Sequence, residues 1–489
     1  MGSIMKRASF LVVVILLGEG DLYAQAPDTL WTKTYGGIND DIGLSVEQTS
    51  DEGFIITGWT YSFGAGGSDA FLIKTDAEGD ILWYKTYGGP ADDNGFSVQQ
   101  TSDNGYIIAG GTYSFGAGDK DVYLIKTDSL GEVIWVKTYG GGLADWATSV
   151  QQTADGGYII CGTTGSFGAG QLDVYVIKID SLGDTIWTKA YGGMNADGGN
   201  YIRQTSDGGY IIVGSTGSYG AGLYDVYLIK TDSSGDTVWT KTYGGVENDG
   251  GYCVLQTADR GYIIAAGTYS FGAGREDLWL LKTDTLGDTL WTRLYGGTEG
   301  ERGYSVCQTS DGGYIIAGYT CSFGSGNFDF YLIRTDSLGD TLWTRTYGGT
   351  TSDFSYSVRQ TSDQGYVIVG WTGSYGSGGD DVYLIRLGPE TDVEEQLSHP
   401  GNPLPFLEIL PNPSKGMARI LLKPGSDADY VELKIFNVAG ELVRSFSPLS
   451  PVIVWDGRDD KGRKVSSGVY FIRLSTSNLR ITEKMILLR

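Results

Sequence analysis

The sequence predicts an all-β chain: a seven-bladed β-propeller of 52-residue repeats, followed by a small Ig-like β-sandwich. Three observations carry this prediction. Tryptophan recurs at positions 31, 83, 135, 187, 239, 291 and 343, always 52 apart, and each is followed four residues later by Tyr-Gly-Gly. Every repeat holds four short segments rich in aromatic and β-branched residues, and none carries a helical period. After Leu387 the composition changes abruptly, with nine of the eleven prolines lying between Pro389 and Pro451.

Taken in chain order, the 489 residues begin with Lys6 and Arg7 ahead of an apolar run from Phe10 to Leu17. That run is too short to span a bilayer, and small residues follow it, so residues 1–24 read as a secretory signal peptide cut after Ala24. No other stretch of 18 apolar residues exists, which predicts no transmembrane helix. Export permits disulfides, but Cys161, Cys253, Cys307 and Cys321 have no framework spacing and read as occasional substitutions by small thiols. With 59 acidic against 35 basic residues, the net charge of −24 repels a phosphate backbone, so nucleic acid is excluded as a partner. The single histidine, His399, excludes a two-histidine zinc site.

Within residues 29–387 the four predicted strands of a repeat are termed A (as in Gly-Tyr-Ser-Val), B (Gly-Tyr-Ile-Ile), C (Asp-Val-Tyr-Leu-Ile-Lys) and D (Thr-Leu-Trp-Thr). B and C are nearly continuous apolar runs, as strands buried on both faces require. Ser-Asp-Gly-Gly between A and B is a hairpin turn signal, and Asp-Ser-Leu-Gly-Asp joins C to D. The first copy begins with strand D at Leu30 to Tyr35, and the last stops after strand C at Leu387. The seventh blade is therefore expected to take its outer strand from the N-terminus, which removes the open edge of the array. The regular tryptophan is expected to dock between neighbouring blades.

The Asp-Ser-Leu-Gly-Asp-Thr-Leu-Trp stretch resembles the tryptophan-docking motif of quinoprotein-like propellers and the Asp-box of sialidase-like propellers. Its Asp-to-Gly gap is one residue too short for the first and one too long for the second. The resemblance therefore implies the fold, not quinone binding or sialidase activity. The whole unit is similar to repeats of secreted bacterial propellers, some of which are described as endoglucanases.

Residues 388–405 read as an acidic, proline-rich linker holding His399. From 406 to 489, alternating strands separated by Asn-Pro, Ala-Gly and Asp-Gly turns suggest the Ig-like sandwich. Its motif residues are Pro411, Asn412, Pro413, Gly416, Trp455, Asp456, Gly457, Gly468 and Tyr470. They resemble the C-terminal sorting domain of type IX secretion substrates and the Ig-like domain of flagellar hook-capping proteins. The resemblance implies delivery to the outer surface or medium, with the secretion machinery as a partner.

In four-stranded blades the D–A and B–C loops share one face. There the sequence places two candidate binding rings. One is acidic: Asp40, Asp41, Asp92, Asp93, Asp145, Asp197 and Asp249. The other is aromatic: Phe63, Phe115, Phe167, Tyr219, Phe271, Phe323 and Tyr375, each within Ser-[Phe/Tyr]-Gly-[Ala/Ser]-Gly. Rings beside carboxylates suit carbohydrate, though loop aromatics also plug the space between blades. Surface carboxylates in this number permit structural calcium, without EF-hand spacing, and no other cofactor is implied. No catalytic residue and no metal ligand is assigned. Seven near-identical copies without an insertion argue against an enzyme, since catalysis needs one blade to differ. The reading is a non-catalytic secreted or surface-anchored propeller that binds a polysaccharide or protein partner. The alternatives are an extracellular, endoglucanase-like glycoside hydrolase using loop carboxylates, and a purely structural surface protein.

Overall fold

The computed structural model describes residues 26–390, 406–410, 414–415, 417–423, 432–437, 441–446, 452–475 and 480–488. The expected signal peptide, His399 with most of the linker, and the motif residues Pro411, Asn412, Pro413 and Gly416 lie outside the described residues. Every regular element among the described residues is a β-strand, so the chain is all-β. No described helix is long and apolar enough to cross a membrane. The chain divides into two compact units, one ending at Glu390 and the other beginning at Thr391.

In the first unit, strands A (Asp41–Gln48), B (Phe54–Thr60), C (Asp69–Thr75) and D (Ile81–Tyr87) pair antiparallel in sequence order. The arrangement recurs every 52 residues in six sheets. A further sheet joins Asp353–Gln360, Tyr366–Thr372 and Asp381–Leu387 to Thr29–Tyr35, which pairs antiparallel with Asp381–Leu387 at the outer edge. Strands B and C are buried almost throughout, as their apolar runs require, whereas strand D is largely exposed.

Neighbouring sheets are joined by contacts that each repeat renews. Trp83 on strand D meets Tyr106 of the next sheet edge-on, with centroids 5.9 Å apart. The Tyr87 hydroxyl donates to the Gly131 carbonyl at 2.7 Å, and Lys85 pairs with Glu132 at 2.7 Å. Gly131 sits at φ 76°, where a Cβ would also strike the Trp83 ring, so two constraints select glycine at this turn. The docking expected of the regular tryptophan is thus observed. On the inner side, Ser50 N–H donates to Gln100 Oε1, and the same bond, at 2.8 Å, joins Ser362 to Gln48. The four cysteines are free thiols, and Cys161 and Cys253 are buried.

The second unit holds a three-stranded sheet containing Phe406–Leu410, Ala418–Lys423 and Val452–Trp455. A five-stranded sheet is built on Glu432–Asn437, Gly468–Ser475 and Arg480–Leu488. Ile420, Ile453, Trp455, Leu433, Ile472 and Met485 form a core between them. Trp455 stands edge-on to Tyr470 at 5.1 Å and donates its indole N–H to the Arg458 carbonyl. Tyr470 donates to the Ser466 carbonyl at 2.7 Å. Gly457 takes φ 67°, Gly468 opens its strand, and exposed Asp456 pairs with Arg458. The described motif residues therefore hold this module's own turns and core.

Candidate functional site

The acidic ring proves to be a set of loop ties. Asp41 is buried; its Oδ2 accepts the Gly37 N–H and the Ser62 hydroxyl, both at 2.7 Å, and Thr60 donates to Oδ1. Asp93, Asp145, Asp197 and Asp249 repeat the same bonds to the glycine N–H four residues earlier and to a loop serine. Asp40 and Asp92 accept backbone N–H groups of Asp380 and Ser68, fixing one repeat's B–C loop to the D–A loop beside it. Each of these carboxylates thus accepts from protein donors, while Asp93 Oδ1 is buried without a partner. Among the described residues, no group of three or more His, Cys, Asp or Glu side chains could hold a metal ion.

The loop aromatics remain accessible. Phe63, Phe115, Phe167, Tyr219, Phe271, Phe323 and Tyr375 are each 44–48% exposed. Their other faces lean on strands C and D: Phe63 on Tyr84 at 5.4 Å, Phe167 on Tyr175 at 5.6 Å. Tyr219 and Tyr375 additionally donate to the carbonyls of Gly192 and Gly348. They form a symmetric rim.

Strand A residues from every repeat sheet converge on a cavity of about 590 Å³ that none of those fourteen residues lines. The register explains which side chains reach it. Strand A carries a bulge between Gly43 and Ser45, repeated between Gly95 and Ser97 and between Ser355 and Ser357. Across the bulge the simple alternation fails. Ile42, Leu44, Ser45 and Glu47 line the cavity, while Val46 is fully buried and a Cβ at Gly43 would strike Val382 and Val369.

Inside this cavity the seven-fold repetition ends. The position of Leu44 is occupied in successive repeats by Phe96, Thr148, Asn200, Tyr252, Tyr304 and Tyr356. One side is therefore an aromatic wall. Tyr304 lies 5.1 Å from Tyr252 and 4.8 Å from Tyr356, with Trp371 and Trp59 also lining. Behind the wall, buried Glu276 and half-buried Arg302 form a two-pronged pair at 2.6 and 2.9 Å. The Arg302 guanidinium faces the rings of Tyr252 and Tyr304, and Tyr319 donates to Glu276 at 3.0 Å. The other side is small and polar. Thr148 and Asn200 line it and donate to the carbonyls of Gly199 and Gly251.

At the level of Glu47 the cavity carries charge. Tyr201, from strand Asp197–Gln204, reaches the guanidinium of Arg359 on strand Asp353–Gln360 at 3.3 Å, and also accepts from Arg203. The remaining bonds of both arginines go to neutral oxygens: Ile202 O for Arg203, Val358 O and Ser305 Oγ for Arg359. Glu47 accepts the Gln100 N–H at 2.6 Å; burial lifts its carboxyl above the ordinary range, against the pull of Arg359 and Arg203. Two guanidiniums thus face one buried carboxyl. At the opposite end Asp380 also lines the cavity, its carboxyl raised by burial and by Asp40.

Sequence reasoning sought asymmetry in loop insertions. The signal lay instead in two columns of strand A, those of Leu44 and Glu47, which vary while the position of Val46 between them is valine in six repeats and Ile202 in the other.

The family described as FlgD Ig-like domain matches residues 412–479. The regulatory protein FlaEY of Caulobacter vibrioides is 32% identical over 133 residues, which cover 23% of this chain and 14% of that protein. Among solved structures, PorZ, a surface component of the type-IX secretion system of Porphyromonas gingivalis, is similar with a TM-score of 0.42 and 12% identity. The likeness covers 93% of this chain and 60% of that one. The Pan2 WD40 domain of Neurospora crassa is similar with a TM-score of 0.47 and 10% identity, over 76% of this chain and 97% of that one. The chain is an all-β repeat protein. Its C-terminal segment is an FlgD Ig-like domain.

Proposed function

We propose that residues 29–387 close as a seven-bladed β-propeller which binds a glycan in its central channel without catalysis. Residues 1–24 direct export, 388–405 link the propeller to its tag, and 406–489 serve as a sorting domain that delivers it to the cell surface or medium. The pairing of Thr29–Tyr35 with Asp381–Leu387 and the bond from Ser362 to Gln48 support the closed ring.

The observation that carries the binding reading is the confinement of asymmetry. The repeats agree in their turns, ties and rim, and part company where side chains face the cavity. Stability alone has no use for Tyr252, Tyr304 and Tyr356 on one side and Thr148 and Asn200 on the other. A cavity of 590 Å³ has the size of a site for a small ligand or a short run of a polymer rather than a protein surface. An aromatic wall facing polar groups suits a sugar, whose faces stack while its hydroxyls bond.

Hydrolysis is the weaker reading. Asp380 O accepts the Asp41 N–H, and Glu47 lies six residues further along strand A. That is roughly 16–20 Å of strand, against the roughly 5–9.5 Å that separates the carboxyl pair of a glycosidase.

Polysaccharide-array binding by the full chain, run beside a digestion screen, tests the proposal. Retention on one or more glycans without soluble sugar release is expected. Sugar release, or no retention on any glycan, would overturn it.

A further inference from the structure

The guanidiniums of Arg203 and Arg359 are the feature of the cavity that neutral sugar binding leaves unused. Both line it, from strands far apart in sequence, and the Tyr201 hydroxyl brings them to one place. Elsewhere in the repeats a cation on strand C or behind the aromatic wall is matched by a carboxylate: Lys74 by Asp51, Arg334 by Asp311 and Glu390, Arg302 by Glu276. Outside the cavity, Lys120 faces the rings of Phe96, Tyr113 and Trp146, and Arg345 bonds to the Pro27 carbonyl and Tyr347. Arg203 and Arg359 have no carboxylate within 4 Å among the described residues; each is held by neutral oxygens. Glu47, on which both arginines pull, gives one of its oxygens to the Gln100 N–H. Two forked donors against one committed carboxyl leave the place cationic, inside a chain whose net charge is −24. Residues for structural purposes alone would not gather positive charge here.

The spacing to the wall is set by the strand. Tyr356 and Arg359 are three residues apart on the same strand, about 10 Å at a strand's rise. One or two pyranose rings fill such a distance, and an equatorial carboxylate on the ring reaches further.

We propose, building on the glycan-binding reading, that the cavity selects a carboxylate-bearing sugar. Its ring lies on Tyr304 and Tyr356, its carboxylate is taken by the forks of Arg203 and Arg359, and its hydroxyls meet Asn200. Phosphate and sulfate esters would offer these arginines a similar charge. The carboxylate is favoured over a phosphate monoester because it matches a guanidinium fork bidentately while bringing one charge rather than nearly two into the cavity, at a lower desolvation cost.

The test is calorimetric titration of the full chain with trimers of galacturonate, glucuronate and mannuronate. Each is paired with its carboxyl-reduced counterpart, which differs only in lacking the charge. At least one uronate trimer should bind ten-fold or more tighter than its reduced form. Arg203→Gln and Arg359→Gln should each weaken the charged trimer ten-fold or more beyond any effect on its reduced form, which removes that preference. Tyr304→Ala should weaken both forms, and unchanged thermal melting checks that each variant folds. Equal binding of charged and reduced trimers, or a preference that survives both arginine changes, would overturn the assignment. Equal binding accompanied by retention on the array would leave the glycan-binding reading standing, whereas no retention on any array glycan overturns that reading and this one together.

Discussion

At the scale of single residues, each repeat buries a cation and reaches it from the surface with an aspartate. Lys178 is almost wholly buried and bonds to the Ile179 carbonyl and to Asp155, which is itself largely exposed. Burial opposes the ionised Asp155, but donation from Thr153, Lys178 and the Gly157 N–H outweighs it and holds the carboxyl at about 2; Asp207 behaves alike. A carboxyl depressed on folding contributes stability above its unfolded value of about 3.9 and loses it as pH falls through the folded one. Asp155→Asn should therefore lower stability at pH 7 by about 1 kcal/mol, since Asp155 is well solvated. The gap from the parent protein should close between pH 4 and pH 2 in urea titrations; a gap independent of pH would count against the assignment. A second prediction concerns the A–B turn, where Gly156, Gly208 and Gly312 take positive φ but Gln364 stands at φ 68°. Gln364→Gly relieves that strain and should stabilise the protein by about 0.5–1 kcal/mol in the same assay.

At the scale of elements, the latch from strand D to the next sheet is the unit of cohesion. Tyr87→Phe deletes its buried bond to the Gly131 carbonyl. The expected loss is about 1–1.5 kcal/mol by urea unfolding; a neutral result would show that packing of Trp83 suffices. In the C-terminal unit, Trp455→Ala removes the largest fully buried side chain and should cost about 3–5 kcal/mol in that module's own transition. These elements were legible in the sequence because turn residues and apolar runs repeat with them: the strand order, the split sheet and the tryptophan dock all follow from a 52-residue period. Strand A was the exception. Its bulge between Gly43 and Ser45 breaks the two-residue alternation from which a strand's facing is read. Leu44 and Glu47 therefore could not be assigned to the cavity from pattern alone, nor could Tyr201 be joined to Arg359 across 158 residues. The loop carboxylates misdirect for the converse reason. Asp41 and Asp93 look like surface acids in sequence, yet they are buried and accept N–H and hydroxyl donors whose approach only the folded loops reveal.

At the scale of the whole molecule, the repeat sheets share their turns and ties and differ where strand A side chains line the cavity. Repetition suits the ties between sheets, because one solution to sheet packing serves every junction. A ligand has no such symmetry, so the residues that meet it are free to differ only where the ties do not need them. The proposed binding therefore belongs to the aromatic wall, and the loop aromatics such as Phe115 and Phe167, although more exposed, are the comparison that tests it. The most direct measurement compares two double variants of the full chain on whichever glycan the array retains. Tyr304→Ala with Tyr356→Ala should abolish binding, while Phe115→Ala with Phe167→Ala should leave it within about two-fold. Binding that survives the cavity pair and is lost with the rim pair would contradict the account.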